Sequence, residues 1–394
     1  MRKRSIIKRK IGYTATSIII AGVTSMTTLH ITAQGADATT NMATNTASNE
    51  QVPIPKLVRT IDLSHIGSVV AVRKLSFSPD SRYLAIVVDP ELGKTDIVVW
   101  DMEKGKPQSH IHCPYQYGVL ADHDLLWSRD GKVISFGAKR QWDPMTGEAL
   151  PDNPAIGRAA RLNKDGTKML TIVGALGQPS YIHVYDTKTW ELQKIYLDGF
   201  AAVAANWTAD DKIFVNTSLT HELYSQVIDG YQPNDYHDSA YRLIDPTGIE
   251  MPKTLWIPAV STGDPKAPYK YSPDVGGVSA VIFHTNKLLL GNGILLDGKT
   301  LAMDKSSQDF FKRAFDGTSD SRVNKDGMKI YRRGNVPLVR SREPTPNRVI
   351  ALPPSNTIVE FGGLIDTGAG FDLSHDDKRL AIGNSTIVQI YQVQ

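Results

Sequence analysis

The chain has 394 residues, 44 Lys+Arg against 41 Asp+Glu for a formal charge of +3, and 41% apolar residues. That apolar share fills a core and excludes wholesale disorder, and a single cysteine, Cys113, excludes an internal disulfide framework and any multi-cysteine zinc site. The charge excess is local: residues 1–38 hold six basic groups and one acid, Asp37, so the rest carries 38 basic and 40 acidic residues and argues against nucleic acid as a partner.

In chain order, residues 2–10 are a basic n-region, residues 11–29 are uncharged, and Ile18–Val23 is a short apolar centre. Ala36-Asp37-Ala38 fits a small-x-small cleavage site. Residues 1–38 therefore read as a secretory signal peptide, with an uncleaved N-terminal anchor as the alternative. The centre falls short of the roughly 20 apolar residues of a spanning helix. No cysteine lies near the cleavage site for lipidation, and Arg2-Lys3-Arg4 lacks a consecutive arginine pair for twin-arginine export. Residues 39–56, rich in Thr, Asn and Ala, read as a flexible linker ending at a Pro-x-Pro stiffener. No later segment approaches membrane-spanning length, so the expected location is periplasmic or secreted.

From residue 57 onward one pattern recurs: an apolar residue, two or three small or polar residues, Asp, a turn former, then an apolar strand. The instances centre on Asp80, Asp130, Asp165, Asp210, Asp326 and Asp376, and in Phe283-His284-Thr285-Asn286-Lys287 an Asn replaces the Asp. Their spacing averages about 49 residues, within the range of propeller repeats. Asp and Asn bond their own turns and Gly supplies positive φ, so each instance predicts a hairpin. A further strand ends on Asp in several units, as in Ile97-Val98-Val99-Trp100-Asp101 and Ile182-His183-Val184-Tyr185-Asp186. Four short strands per unit, seven times over, predict an all-β, seven-bladed β-propeller of four-stranded antiparallel blades over 57–394. The last blade ends at a third strand, Ile387–Tyr391, and Leu57–Leu63 is the expected fourth strand that closes the ring.

Leu75-Ser76-Phe77-Ser78-Pro79-Asp80-Ser81-Arg82-Tyr83-Leu84-Ala85, followed by Val99-Trp100-Asp101, resembles the WD-repeat propellers in the divergent form found in exported bacterial proteins. The resemblance covers most of 57–394 at the repeat level. The family's Gly-His survives only as Ser64-His65, and its tryptophan gives way to Tyr185 or aliphatic residues. It implies a scaffold that presents loops to partners and no single activity.

Functional surfaces on propellers favour loop insertions. The first, 217–240, carries His221, Glu222, Tyr224, Asp229, Tyr231, Asn234, Asp235, Tyr236, His237 and Asp238. The second, 258–275, holds four prolines and reads as a stiff surface loop. Residues 322–348 hold eight basic groups and two acids, the footprint of an anionic partner or of a charged blade edge. Tyr231, Asp235, Tyr236, His237, Asp238, Arg332 and Arg333 are the candidate binding residues.

Other apparent chemistry resolves into structure. Asp366-Thr367-Gly368 has no second copy to share a proton with, and reads as a turn. His110-x-His112-Cys113 with Asp122, His123 and Asp124 has the residue types of a metal site, but the expectation is a surface pair on a fourth strand. The repeated aspartates are expected to be turn residues rather than a carboxylate ring. No catalytic residue, metal or cofactor is expected. The leading function is a non-catalytic scaffold that binds another protein, a ligand or an envelope component. The alternative is a propeller enzyme or enzyme subunit, similar to the large subunit of amine dehydrogenases or to lactonases. It predicts a central-channel site, for instance from His65, His183, His284 and His375.

Overall fold

The repeat sets where each strand must start and stop, and the strands then assemble by alternation. The computed structural model describes residues 52–66, 71–89, 94–113, 125–136, 139–175, 177–220, 223, 226–228, 230–233, 235, 237–265, 267–270, 278–282, 285–290, 294–304, 310, 321–326, 328–333, 346–352, 357–361 and 370–393. Residues 1–38, expected from the sequence to be a signal peptide, and most of the expected linker 39–56 lie outside them.

Seven antiparallel blades form the ring. Blade 1 comprises Ala71–Phe77, Tyr83–Asp89, Thr95–Asp101 and Lys106–Cys113. Blade 2 has short strands, Leu125–Trp127, Ile134–Phe136, Arg140–Trp142 and Ala149–Leu150. Blade 3 comprises Arg158–Leu162, Lys168–Val173, Tyr181–Asp186 and Leu192–Tyr196. Blade 4 comprises Ala201–Trp207, Ile213–Ser218, Ser239–Ile244 and Lys253–Ile257. In blade 5, Val278–Ile282, Lys287–Leu290 and Leu295–Asp297 are followed by a Leu296–Met303 bridge at the place of the fourth strand. Blade 6 comprises Ser321–Val323, Lys329–Arg332, Asn347–Ala351 and Thr357–Phe361. Blade 7 is built from both ends of the folded region: Phe371–Leu373, Arg379–Asn384 and Ile387–Gln392, with Lys56–Asp62 as its outer strand. Asp62 pairs with Ile387 and Lys56 with Gln392, the closure that the sequence predicted.

Alternation along each strand sends side chains into two different cores. In blade 1, Ile97 and Val99 join Leu125, Trp127, Ile134 and Trp142 of blade 2. Val98 and Trp100 point the other way, to Ile61, Ala381, Val388 and Ile390 of blade 7. The same division recurs around the ring, so each junction between blades has its own buried cluster. The blade 2–3 cluster, around Ala155, Ala160, Met169 and Tyr185, is small because blade 2 is short. First strands of adjacent blades touch, for example Ala71–Phe77 with both Phe371–Leu373 and Leu125–Trp127. The first strand of each blade therefore lines the ring axis.

The repeated aspartates are turn residues. Asp80 Oδ1 accepts the Ser78 hydroxyl and the Arg82 N–H, and Asp130 does the same for Ser128 and Lys132. Asp210 accepts the Thr208 hydroxyl, and Asp376 accepts the Ser374 hydroxyl and the Lys378 N–H. In blades 1 to 5 an aspartate at the end of the third strand caps the next turn. Asp101 takes the N–H groups of Glu103 and Lys104, and Asp186 those of Lys188 and Thr189. These backbone donors hold the Asp186 carboxyl below its ordinary range.

The residue after the turn aspartate has positive φ: Ser81 at 62°, Gly131 at 71°, Gly166 at 71°, Asp211 at 58° and Asp377 at 57°. Asn286, at 49°, sits at this position rather than replacing the aspartate, which corrects the sequence alignment by one residue. The blade 5 turn is shorter, with Ile282 paired directly to Lys287. Where this residue has a polar side chain, it reaches back to the turn of the preceding blade. Asp211 Oδ1 accepts Asn163 Nδ2–H, and Asn286 Oδ1 accepts the Ala209 N–H. Asp377 Oδ2 accepts the Lys325 N–H, and Ser81 Oγ accepts the Asp376 N–H across the closure. Four junctions are thereby clasped on one rim. Gly131 and Gly166 offer no such side chain at the junctions on either side of blade 2.

Candidate functional site: a buried carboxylate between two histidines

The third and fourth strands of blade 1 form a long hairpin around the turn capped by Asp101. Its register places Asp96 opposite His112 and Val98 opposite His110. Positions 110 and 112 are two apart on one strand, so both imidazoles share a face with Asp96. Asp96 Oδ2 meets His110 Nε2 at 2.9 Å and His112 Nδ1 at 3.0 Å. The two rings lie 4.5 Å apart. One ligand atom from each of the three residues falls within 4.8 Å of the others. Asp96 is 6% exposed, whereas the side chains of His110 and His112 are 32% and 80% exposed. Burial opposes ionisation of Asp96, but the hydrogen bonds and charges of the two histidines outweigh it and hold the carboxyl below its ordinary value.

Cys113, one residue on, turns to the opposite face and packs against the blade 1–2 core. Burial, aided by the Asp96 charge, pushes its thiol up to about 12, which makes it an inert packing residue. Asp122, His123 and Asp124 lie outside the described residues. The sequence named the histidine pair but missed Asp96. Counting back from the turn at Asp101 through the hairpin register would have found it.

The described candidates in the first insertion are tied into the blade. The Tyr231 ring stacks on Trp256 of the fourth strand at 4.3 Å and 14°. Its hydroxyl donates to Asp238 Oδ2, while Asp238 Oδ1 accepts the Ala259 N–H from fully buried surroundings. Burial, with the Asp238 charge, pushes the Tyr231 hydroxyl up to about 12. Asp235 caps His237 through both its backbone N–H and its ring. Tyr236, His221, Glu222, Tyr224, Asp229 and Asn234 lie outside the described residues. The second insertion differs from the expected stiff loop. Val260–Asp264 and Ala267–Lys270 pair as a β-hairpin, Asp264 opposite Ala267, whose first strand bulges at Gly263 with a φ of 74°. Its prolines 265 and 268 fall where no ladder bond is required of them.

In the basic sector, Arg322 pairs with Asp372 at 2.7 Å and Arg348 with Glu360 at 3.1 Å. Arg332 is 1% exposed and Arg333 is half-buried, so neither extends as an open cationic arm. Arg340, Arg342 and Asp366-Thr367-Gly368 lie outside the described residues. At the axis, Asp372 Oδ2 also accepts the Phe77 N–H, so one carboxylate ties blades 6, 7 and 1 together. His183 and His375 do not converge on the channel. His183 is buried in the third strand of blade 3 against the Tyr185 hydroxyl, and His375 is exposed in the first turn of blade 7. His284 and the His65 side chain lie outside the described residues.

Sequence reasoning also passed over a surface on blade 3. Tyr181 pairs with Tyr196 across the outer hairpin, with ring centroids 5.1 Å apart. They are 42% and 49% exposed, and Leu192 on the same face is 38% exposed. The neighbouring short blade 2 ends in the two-residue strand Ala149–Leu150.

The chain matches no protein-family model and no curated protein. The fold is that of a seven-bladed β-propeller. Among the described residues, no helix is long and apolar enough to cross a membrane.

Proposed function

We propose that the protein is an exported, non-catalytic β-propeller of WD-repeat-like type that binds a protein or envelope component at its blade edges. The observation that carries this reading is the exposed Tyr181–Tyr196 pair with Leu192 on the outer hairpin of blade 3. Paired tyrosines supply apolar area with polar tips at little entropic cost, which suits an interface. Lys194 lies between Leu192 and Tyr196 on the same face and adds a cation to it. The basic n-region and small-x-small site of residues 1–38 support export. The reading puts the wild-type repeat carboxylates to structural use and leaves recognition to surface side chains.

Affinity capture from envelope extract with the chain beginning at residue 39 tests binding, beside a Tyr181→Ser/Tyr196→Ser variant. A stoichiometric partner recovered by the first and lost by the second is expected. Equal recovery by both, or none by either, refutes the tyrosine surface. Cell fractionation with N-terminal sequencing tests export separately. The expected product is extracytoplasmic and starts after Ala38, and retention in the cytoplasm overturns the assignment.

A further inference from the structure

We infer that Asp96, His110 and His112 form a binding site for a divalent first-row transition ion of the zinc type. The inference is independent of the binding surface on blade 3. Three features of blade 1 carry it. The donors converge: His110 Nε2 and His112 Nδ1 both address one oxygen, Asp96 Oδ2, at 2.9 and 3.0 Å. The frame is rigid on the carboxylate side, because Asp96 is buried in a third strand paired on both edges, with Val88 and with His112. The entrance is open, because the His112 side chain is 80% exposed.

The chemistry selects the ion. Two imidazoles and one carboxylate are the donor set of a three-ligand zinc centre, whose fourth position is taken by water or an incoming donor. A single carboxylate offers too few oxygens for calcium or magnesium, which prefer all-oxygen shells. Zinc–nitrogen and zinc–oxygen bonds of about 2.0–2.2 Å place neighbouring donor atoms roughly 3.3–3.5 Å apart in a tetrahedron. The two contacts to Asp96 are only a few tenths of an ångström shorter, and rotation of the exposed His112 ring supplies the adjustment. Each ring now directs a nitrogen at the carboxylate as a hydrogen-bond partner. On metal uptake that nitrogen gives up its proton, either to solvent or to the ring's other nitrogen, and presents its lone pair to the ion. The bound ion would link the outer strand of blade 1 to the strand beside it, next to an edge that carries no further strand among the described residues.

The test is equilibrium dialysis of the purified, tag-free chain, stripped with chelator and titrated with zinc, with bound metal counted by mass spectrometry. Wild type is expected to retain one equivalent. Asp96→Asn, His110→Gln and His112→Gln are each expected to weaken binding by at least about tenfold. Because His112 is largely solvated, His112→Gln tests the site without disturbing the fold, and circular dichroism checks that. A second readout is the imidazole nitrogen NMR signals of His110 and His112, which should shift with one equivalent of zinc. Failure of wild type to bind zinc, or binding that all three substitutions leave unchanged, overturns the inference.

Discussion

The Asp377 carboxylate in blade 7 accepts the backbone N–H of Lys325 in blade 6 at 2.7 Å. The same clasp joins Asp211 to Asn163, Asn286 to Ala209 and Ser81 to Asp376. A residue that the turn needs for its positive φ thus also holds neighbouring blades in register. Asp and Asn serve both ends, because they tolerate the left-handed conformation and carry an acceptor.

Burial raises the Asp377 carboxyl above its ordinary value despite the Lys325 N–H, and Asp326 and Asp376 add to the rise. The folded state therefore holds its proton more tightly than the unfolded chain, and ionisation lowers stability as pH climbs past the ordinary carboxylate range. Asp377→Asn keeps the acceptor and removes the charge, so it is expected to be neutral or stabilising at pH 7. Asp377→Ala loses the acceptor and strains the turn, and is expected to cost about 1–2 kcal/mol. Urea melts of the two variants check the contrast.

Gly157 has a φ of 116°, and a Cβ there would stand 2.7 Å from both Ile172 O and Thr171 Oγ1. The close approach lets the 151–157 connection cross blade 3, where the Thr171 hydroxyl donates to Ile156 O and the Ile156 N–H donates to the Tyr185 hydroxyl. Gly157→Ala is expected to destabilise by roughly 2–3 kcal/mol. Thermal melts beside Gly177→Ala, a positive-φ glycine with no neighbour within 4 Å, separate the clash from backbone strain.

Burial, assisted by the Lys194 charge, lowers the pKa of His183 below 6.5. The unfolded chain then takes up a proton that the folded chain refuses, so stability is fully present above the unfolded value and falls as pH drops below it. The slope from this residue is bounded by one proton, about 1.4 kcal/mol per pH unit. His183→Gln is expected to flatten this acid limb, read as the difference in melting temperature between pH 7 and pH 5.5.

Deleting residues 1–62 removes the outer strand of blade 7 and bares the edge of Ile387–Gln392. It also takes Ile61 from the cluster between blades 7 and 1. The truncated chain is expected to aggregate or melt at least 10 °C lower than a chain beginning at residue 39, by size exclusion and calorimetry.

The ring was legible because its signals are local. Asp, a turn former and an alternating strand lie within a dozen residues of one another, and Lys56–Asp62 completes a blade that plainly lacked a strand. The misplacement of Asn286 shows the limit, since only backbone φ separates the aspartate position from the one after it. Asp96 was missed because its chemistry depends on which residue faces it across a hairpin, and that is a property of register. Tyr231 and Asp238 looked like an exposed constellation because composition does not reveal that Trp256 stands ready to receive the ring.

Blade 7 draws its outer strand from the beginning of the folded region and its other three from the end. Of the described strands, the first to emerge during synthesis has its partner in the last, so the circle is finished only when residues 387–392 are in hand. Until then Lys56–Asp62 stays an unpaired segment with both of its edges open. A chain built this way gains by keeping its early part unfolded until the late part arrives, and any factor that holds it extended acts on that interval.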